Sequence, residues 1–202
     1  MAYRAVFFDL GRVLVPFDIS HAYAALKAAS PLSLKEMQHE LQSSKLVPDY
    51  ECGRISDQVF VDSIRKLLQL DVTFEEFDRI WNSIFLPATL VSEELLLQLR
   101  ERYTLLLLSN TNALHYRFLE QQYPHIQHFH HHILSFEVGA EKPDAAIYQA
   151  AFQTAGVAPQ EAFFTDDMPE NIEAARALGL DAECFVGVDA LMGHLRQRGI
   201  LS

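Results

Sequence analysis

The stretch "AVFFDLGRVL", residues 5–14, decides the fold. Ala5, Val6, Phe7 and Phe8 form an unbroken apolar run, the pattern of a strand covered on both faces, and the run stops on the carboxylate of Asp9 with Gly11 two positions on. Working outward, residues 103–108, 132–136, 162–164 and 182–186 repeat the short apolar run. Four of the five runs are followed by a segment with helical spacing, so the sequence predicts an α/β fold with a Rossmann-like parallel sheet. Almost a hundred residues separate the first run from the second, and they carry helical signals only. "SLKEMQHELQSS" (33–44) opens with the capping pair Ser33 and Glu36, and "DQVFVDSIRKLLQL" (57–70) and "FEEFDRIWNSIF" (74–85) place apolar residues three to four apart. Residues 1–15 and 89–202 are therefore expected to form the α/β core, and residues 16–88 an inserted helical subdomain bounded near Pro16 and Pro87.

Composition limits what such a fold can bind. The 202 residues are 50% hydrophobic and 21% charged, enough chain to bury ~70% of its unfolded surface. A net charge of −11 argues against a nucleic-acid or anionic-membrane partner, because either needs a basic face. An anionic small molecule must then be held locally, by a few placed cations or a metal. Cys52 and Cys184 follow no metal spacing and are too few for a disulfide framework, which makes a reducing cytoplasm the default expectation. There is no signal-peptide pattern and no run near the ~18 apolar residues of a membrane span. Monomer and homodimer are both open.

In an open parallel sheet ligands bind beyond the carboxyl ends of the strands. The residues there are Asp9, then Ser109 to Asn112, then "GAEKPD" (139–144), then Asp166 and Asp167. Each has a plain structural alternative: Asp9 as a turn residue, Ser109 to Asn112 as a helix cap, Asp166 or Asp167 as a cap before Pro169. Lys142 is harder to assign to structure alone. Beside a helix start marked by Pro143 it opposes the macrodipole, and an anion held between the two would remove the conflict. Together the set supplies a strand-end carboxylate, a hydroxyl with adjacent amides, a lysine and a second carboxylate. Those parts can hold a phosphoryl group with Mg²⁺, on Asp9 and Asp167, and attack it.

Four motifs in this order, "FFDLGRVL", "LLLLSNTN", "EKPDAAIY" and "FFTDDMPENIEAA", resemble the haloacid dehalogenase superfamily, in the subclass with a helical cap after the first strand. With "YECGRIS" (50–56), the likeness runs toward the bacterial sugar-phosphate phosphatases that include α-D-glucose-1-phosphate phosphatase. The resemblance implies Asp9 as nucleophile, Mg²⁺ on Asp9, the Gly11 carbonyl and Asp167, and phosphoryl oxygens on Ser109 and the Asn110 amide. It also implies charge compensation by Lys142, support of the metal site by Asp166 and Asn171, and a small phosphorylated substrate. Glu51 and Arg54 are candidate substrate contacts from the cap stretch, where Gly53 and Ser56 also read as a helix–helix turn.

One departure stands out. Most phosphatases of the superfamily carry a second Asp two residues after the nucleophile, and here that residue is Gly11, which cannot transfer a proton. Asp18, His21 and Glu51 are candidate replacements, and a leaving group that departs with little protonation is the other solution. His125, His128, His130, His131 and His132 invite a zinc reading, but alternate strand residues face opposite ways and no Cys, Asp or Glu lies in the run, so they are expected to form a partly exposed approach to the third strand. The rival functions are a metal-independent 2-haloacid dehalogenase and a non-catalytic phosphate-binding module.

Overall fold

A computed structural model describes residues 2–202; Met1, within the expected core, lies outside the described residues. Five strands, β1 (Ala5–Phe8), β2 (Thr104–Ser109), β3 (His131–Leu134), β4 (Ala162–Asp166) and β5 (Asp181–Cys184), form one sheet in the order β3-β2-β1-β4-β5. Every pairing is parallel. The alternation of side chains explains the unbroken apolar runs. Val6, Phe8, Leu105, Leu107 and Phe163 point into one hydrophobic layer, whereas Ala5, Phe7, Leu106, Leu108 and Phe164 point into the other. All four residues of β1 are fully buried.

Between β1 and β2 the chain forms α1 (Ile19–Ala28), α2 (Leu34–Ser43), α3 (Leu46–Glu51), α4 (Asp57–Leu67), α5 (Phe74–Asn82) and α6 (Glu93–Arg100). The first five gather around their own core of Leu26, Met37, Tyr50, Phe60, Ile64 and Phe77. The capping box of Ser33 and Glu36 is present at α2, a second one of Thr73 and Glu76 opens α5, and Ser56 caps α4. The incoming and outgoing segments of this insert run side by side. Phe17 pairs with Phe85 in an antiparallel bridge, the Asp18 amide donates to the Ile84 carbonyl at 2.8 Å, and the Leu86 amide to the Pro16 carbonyl at 3.0 Å.

After β2 come α7 (Ala113–Gln122), α8 (Ser135–Val138), α9 (Ala145–Ala155), α10 (Pro169–Ala177) and α11 (Val188–Gln197), which cover the sheet. The third run ends earlier than its apolarity suggests: β3 stops at Leu134, opposite Ser109, and the chain turns directly into α8 with Phe136 inside it. The fifth strand likewise stops at Cys184, and Val186 is exposed. Three of the clustered histidines have separate partners. His130 Nδ1 accepts the Leu105 amide at 3.0 Å, His132 bonds the Tyr116 hydroxyl, and His128 pairs with Glu93 at 2.7 Å. Among the described residues no helix is long and apolar enough to cross a membrane.

Candidate active site

Strand order sets the location of the site. The chain leaves β1 toward β2 and β3 on one side and returns to β4 and β5 on the other, so a crevice opens beyond the carboxyl ends of β1 and β4. Asp9 follows β1 and Asp166 ends β4, and the Asp9 amide donating to the Thr165 carbonyl at 3.0 Å fixes the two strand ends together. Lys142 reaches in from the loop before α9. Its Nζ lies 2.7 Å from Asp9 Oδ1, 2.6 Å from Asp166 Oδ2 and 2.8 Å from the Leu108 carbonyl. Among the described residues it is the one lysine or arginine that is buried.

The chain itself supplies anions beside Lys142. The conflict with the helix start is relieved by carboxylates, while the α9 N-terminus is satisfied separately by Asp144, whose side chain accepts the Ala146 amide at 2.8 Å. An ammonium out of water needs partners for all three protons, and here it has them. Asn110 holds the loop in place with both ends of its side chain, donating to the Lys142 carbonyl at 2.8 Å and accepting the Lys142 amide at 2.7 Å. Its side chain is thereby committed to structure, which leaves the backbone amide for a ligand. Asn112 caps α7 by accepting the His115 amide. Ser135, which sequence reading missed, fixes the same loop: its Oγ accepts the Thr111 amide and donates to the Thr111 carbonyl, both at 2.9 Å.

Asp9, Asp166 and Asp167 bring one carboxylate oxygen each to within 4.8 Å of one another. The three differ in how far they are already used. Asp166 is fully buried and accepts from Lys142, from the Met168 amide at 2.8 Å and from Asn171 Nδ2 at 3.0 and 3.1 Å. Both of its oxygens are spoken for. Asp9 gives one oxygen to Lys142, and Asp167 has Arg12 Nη1 at 3.9 Å, an exposed guanidinium. Burial pushes the Asp9 carboxyl up against the pull of Lys142, and burial and Asp166 push Asp167 up as well. Three carboxylates facing one buried ammonium and one exposed guanidinium leave a negative charge over when all are ionised, a deficit that a divalent cation on oxygen ligands fits.

Beyond this cluster a cavity of about 460 Å³ opens between the sheet edge and the inserted helices, with Gly11, Ser109 and Asn110 at the sheet edge and Glu51 in its wall. Of the residues proposed as proton carriers, Asp18 instead caps α1, accepting the Ser20 amide at 2.8 Å, and is exposed, as is His21. Arg54 does not line the cavity: it pairs with Asp49 at 2.9 Å on the surface. Gly53, at φ +65, ends the turn after α3, and a Cβ there would lie 2.0 Å from the Phe136 carbonyl oxygen, so the insert touches α8 closely at this point. Aromatic lining from Phe17, Tyr23, Trp81, Phe85 and His115 was not identified from sequence.

The Glu51 carboxyl is pushed up to about 7, by burial first and by Glu141 second. A carboxyl raised in the folded state contributes stability that is full below its ordinary range and lost as pH rises through 7. Glu51→Gln is therefore expected to match the native chain at pH 4 and to exceed its unfolding free energy by about 1–3 kcal/mol at pH 8. Denaturant titrations at the two pH values check this.

Fold and site together define a hydrolase-like α/β protein that gathers aspartates and a lysine at the carboxyl edge of a parallel sheet. The chain belongs to the haloacid dehalogenase-like hydrolases, whose family model matches residues 3–179. It is similar to the D-ribitol-5-phosphate phosphatase of Bacteroides thetaiotaomicron, 26% identical over 184 residues that span 88% of this chain and 89% of that protein. A HAD family enzyme from the same bacterium, solved in complex with magnesium and inorganic phosphate, superimposes with a TM-score of 0.82 at 29% identity, covering 91% of this chain and 94% of that one. A HAD-like family hydrolase from Porphyromonas gingivalis gives 0.81 at 26% identity, over 97% and 99% of the two chains.

Proposed function

We propose that this chain is a Mg²⁺-dependent phosphatase that hydrolyses a small phosphorylated metabolite through an aspartyl-phosphate on Asp9. The observation that carries the reading is the state of Asp9: it is 7% exposed, held on one oxygen by Lys142 at 2.7 Å, clustered with Asp166 and Asp167, and followed in the chain by Leu10 and Gly11, which line the cavity. Asp9 and Asp167, with the Gly11 carbonyl, would hold the metal, and Asp166 and Asn171 brace it, in keeping with the different use of the three carboxylates described above. When bound, Mg²⁺ supplies positive charge to the phosphoryl oxygens.

The chain's own residues do the rest. Ser109 and the Asn110 amide bind phosphoryl oxygens, Lys142 offsets their charge while keeping Asp9 aimed, and the second Asp9 oxygen attacks phosphorus. Glu51, near neutral pKa and in the cavity wall, takes over the proton work that Gly11 cannot do. Residues 16–88 act as the cap over this site. The relative named as a ribitol-phosphate phosphatase supports a phosphorylated polyol or sugar, and among these a sugar 1-phosphate such as glucose-1-phosphate would ask less of the missing acid than the ester of an ordinary alcohol. A metal-independent dehalogenase has little use for Asp166 and Asp167 together, so that reading falls behind.

Phosphate release with Mg²⁺ and with EDTA tests the proposal, which expects turnover in the first and none in the second. A second test concerns Gly11. Gly11→Asp restores a carboxylate two residues after the nucleophile; its Cβ would lie 2.9 Å from the edge of the Phe17 ring, which must tilt to admit it. Turnover of glycerol phosphate, a poor leaving group, is expected to rise by about 10²-fold, and that of an aryl phosphate by much less.

A further inference from the structure

The cavity is unusually apolar for a site that closes over a sugar. Its wall is a run of touching rings. Trp81 and His115 stack with centroids 5.2 Å apart and planes 3° from parallel, Phe85 meets His115 edge-on at 4.9 Å, and Phe17 meets Phe85 edge-on at 6.4 Å. His115 belongs to this wall as a ring and not as a cation: Asn82 holds its Nδ1 at 2.8 Å, and burial pushes its pKa down to about 3. Leu26 and Ile84 are among the aliphatic residues that fill the remainder. No lysine or arginine lines the space among the described residues, and Glu51 is its one carboxyl-bearing side chain.

Tyr23, Gln42 and Ser44 offer polar atoms from the wall, but they are few against its carbon surface, so a free sugar placed here would leave hydroxyls unpartnered, and each one weakens binding. An acidic body would meet Glu51 and no compensating cation. A flat, uncharged aromatic body meets neither problem, and it gains both apolar burial and offset or edge contacts with the rings. Gly11, at the sheet edge of the same cavity, adds an independent chemical constraint. A phenolic oxygen leaves with far less protonation than an alcohol, so the absence of a carboxyl at position 11 matters least for an aryl ester.

We propose that the substrate is an aryl phosphate monoester whose flat, uncharged ring system occupies the cavity lined by Phe17, Trp81, Phe85 and His115. This rests on the phosphatase reading given above and replaces its sugar by an aromatic leaving group. As an Asp9 oxygen bonds to phosphorus, the bond from phosphorus to the ring oxygen breaks, and the ring oxygen departs with the electron pair and takes a proton relayed from water through Glu51. A water molecule then cleaves the acyl phosphate, giving orthophosphate and restoring the Asp9 carboxylate.

The test compares four esters with the Mg²⁺-loaded protein: acetyl phosphate, glucose-1-phosphate, phenyl phosphate and 1-naphthyl phosphate. Acetyl phosphate has a good leaving group and almost no body, so its hydrolysis reports the phosphatase reading alone. The expected result is that KM falls about tenfold from phenyl to 1-naphthyl phosphate, which differ chiefly in flat apolar area, and that 1-naphthyl phosphate exceeds glucose-1-phosphate in kcat/KM. Filling the cavity by Ala22→Phe should erase the naphthyl advantage. If acetyl phosphate is hydrolysed but glucose-1-phosphate is preferred, or the second ring gains nothing, the inference is overturned and the phosphatase reading stands.

Calorimetry on Asp9→Asn, which cannot turn the ester over, keeps the question open to decision whatever the variants do. Binding of 1-naphthyl phosphate with a more negative heat-capacity change than inorganic phosphate supports the aromatic cavity, even in a protein that hydrolyses nothing. Equal heat-capacity changes overturn it.

Discussion

Asp9→Asn is expected to lower phosphate release by at least ~10⁴-fold while leaving a folded protein. The loss follows from its place: the variant keeps a carbonyl oxygen for Lys142 to donate to at the position where Asp9 Oδ1 now lies 2.7 Å away, but it has no carboxylate to attack phosphorus. The fold should not suffer, because the substitution removes one of three clustered carboxylates that share a single buried ammonium. Thermal unfolding in EDTA is expected at or above the native midpoint. In millimolar Mg²⁺ the native chain should gain stability by mass action and the variant much less, since one metal ligand is gone. Full activity in Asp9→Asn would sink the proposed mechanism outright, and an unfolded Asp9→Asn would show that its carboxylate is structural.

Lys142→Met is expected to have the second largest effect, and of a different kind. Its Nζ is bonded to Asp9, Asp166 and the Leu108 carbonyl with its side chain 1% exposed, so methionine fills the volume and leaves two buried carboxylates without their cation. Removing one partner of a buried ion pair costs about 3–5 kcal/mol. The cost should depend on pH, being smaller in acid where the carboxylates take up protons. It should also shrink in Mg²⁺, because the metal supplies part of the missing charge. On the proposed mechanism, activity should fall by about 10²–10³-fold even where the variant is folded, since the developing charge on the phosphoryl group loses the buried cation that offsets it. Urea titrations at pH 5 and pH 8, with and without Mg²⁺, separate the two effects. A variant equally stable at both pH values would mean that its two carboxylates stay ionised without the ammonium, so that Lys142 is not what keeps them charged.

The parallel sheet was legible because its strands are buried on both faces, so each reads as a continuous run with nothing to confuse it with a half-exposed strand. The helical insert was legible through caps, Ser33 with Glu36 and Ser56, that appear where the sequence places them. Strand ends were less so: β3 gives way to α8 within an unbroken apolar stretch, and apolarity alone does not distinguish a buried strand from a buried turn of helix. The acidic cluster and Lys142 could be listed from strand ends, but the partner of Lys142 could not. An ammonium 133 positions along the chain from Asp9 leaves no periodic trace, and its conflict with the helix start pointed to an anion without saying that the protein supplies it. The cavity wall was hidden for the same reason. Phe17 and Tyr23, Trp81 and Phe85, and His115 come from three separate stretches, each reading as an ordinary core residue of its own stretch. Arg54 shows the reverse case, a polar residue in a suggestive stretch whose side chain pairs with its neighbour Asp49 and does not line the cavity.

The paired segments around Phe17 and Phe85 carry an evolutionary consequence. Because the insert leaves and rejoins the chain through two hydrogen-bonded neighbours, everything between them is a cassette. A short hairpin closing at Phe17 and Phe85 would delete it without moving a strand of the sheet, and a different set of helices spliced at the same two residues would inherit the aspartates and the lysine intact. On the proposed function, the pocket could thus be exchanged wholesale at one seam, while Asp9 and Asp166 stay where β1 and β4 put them.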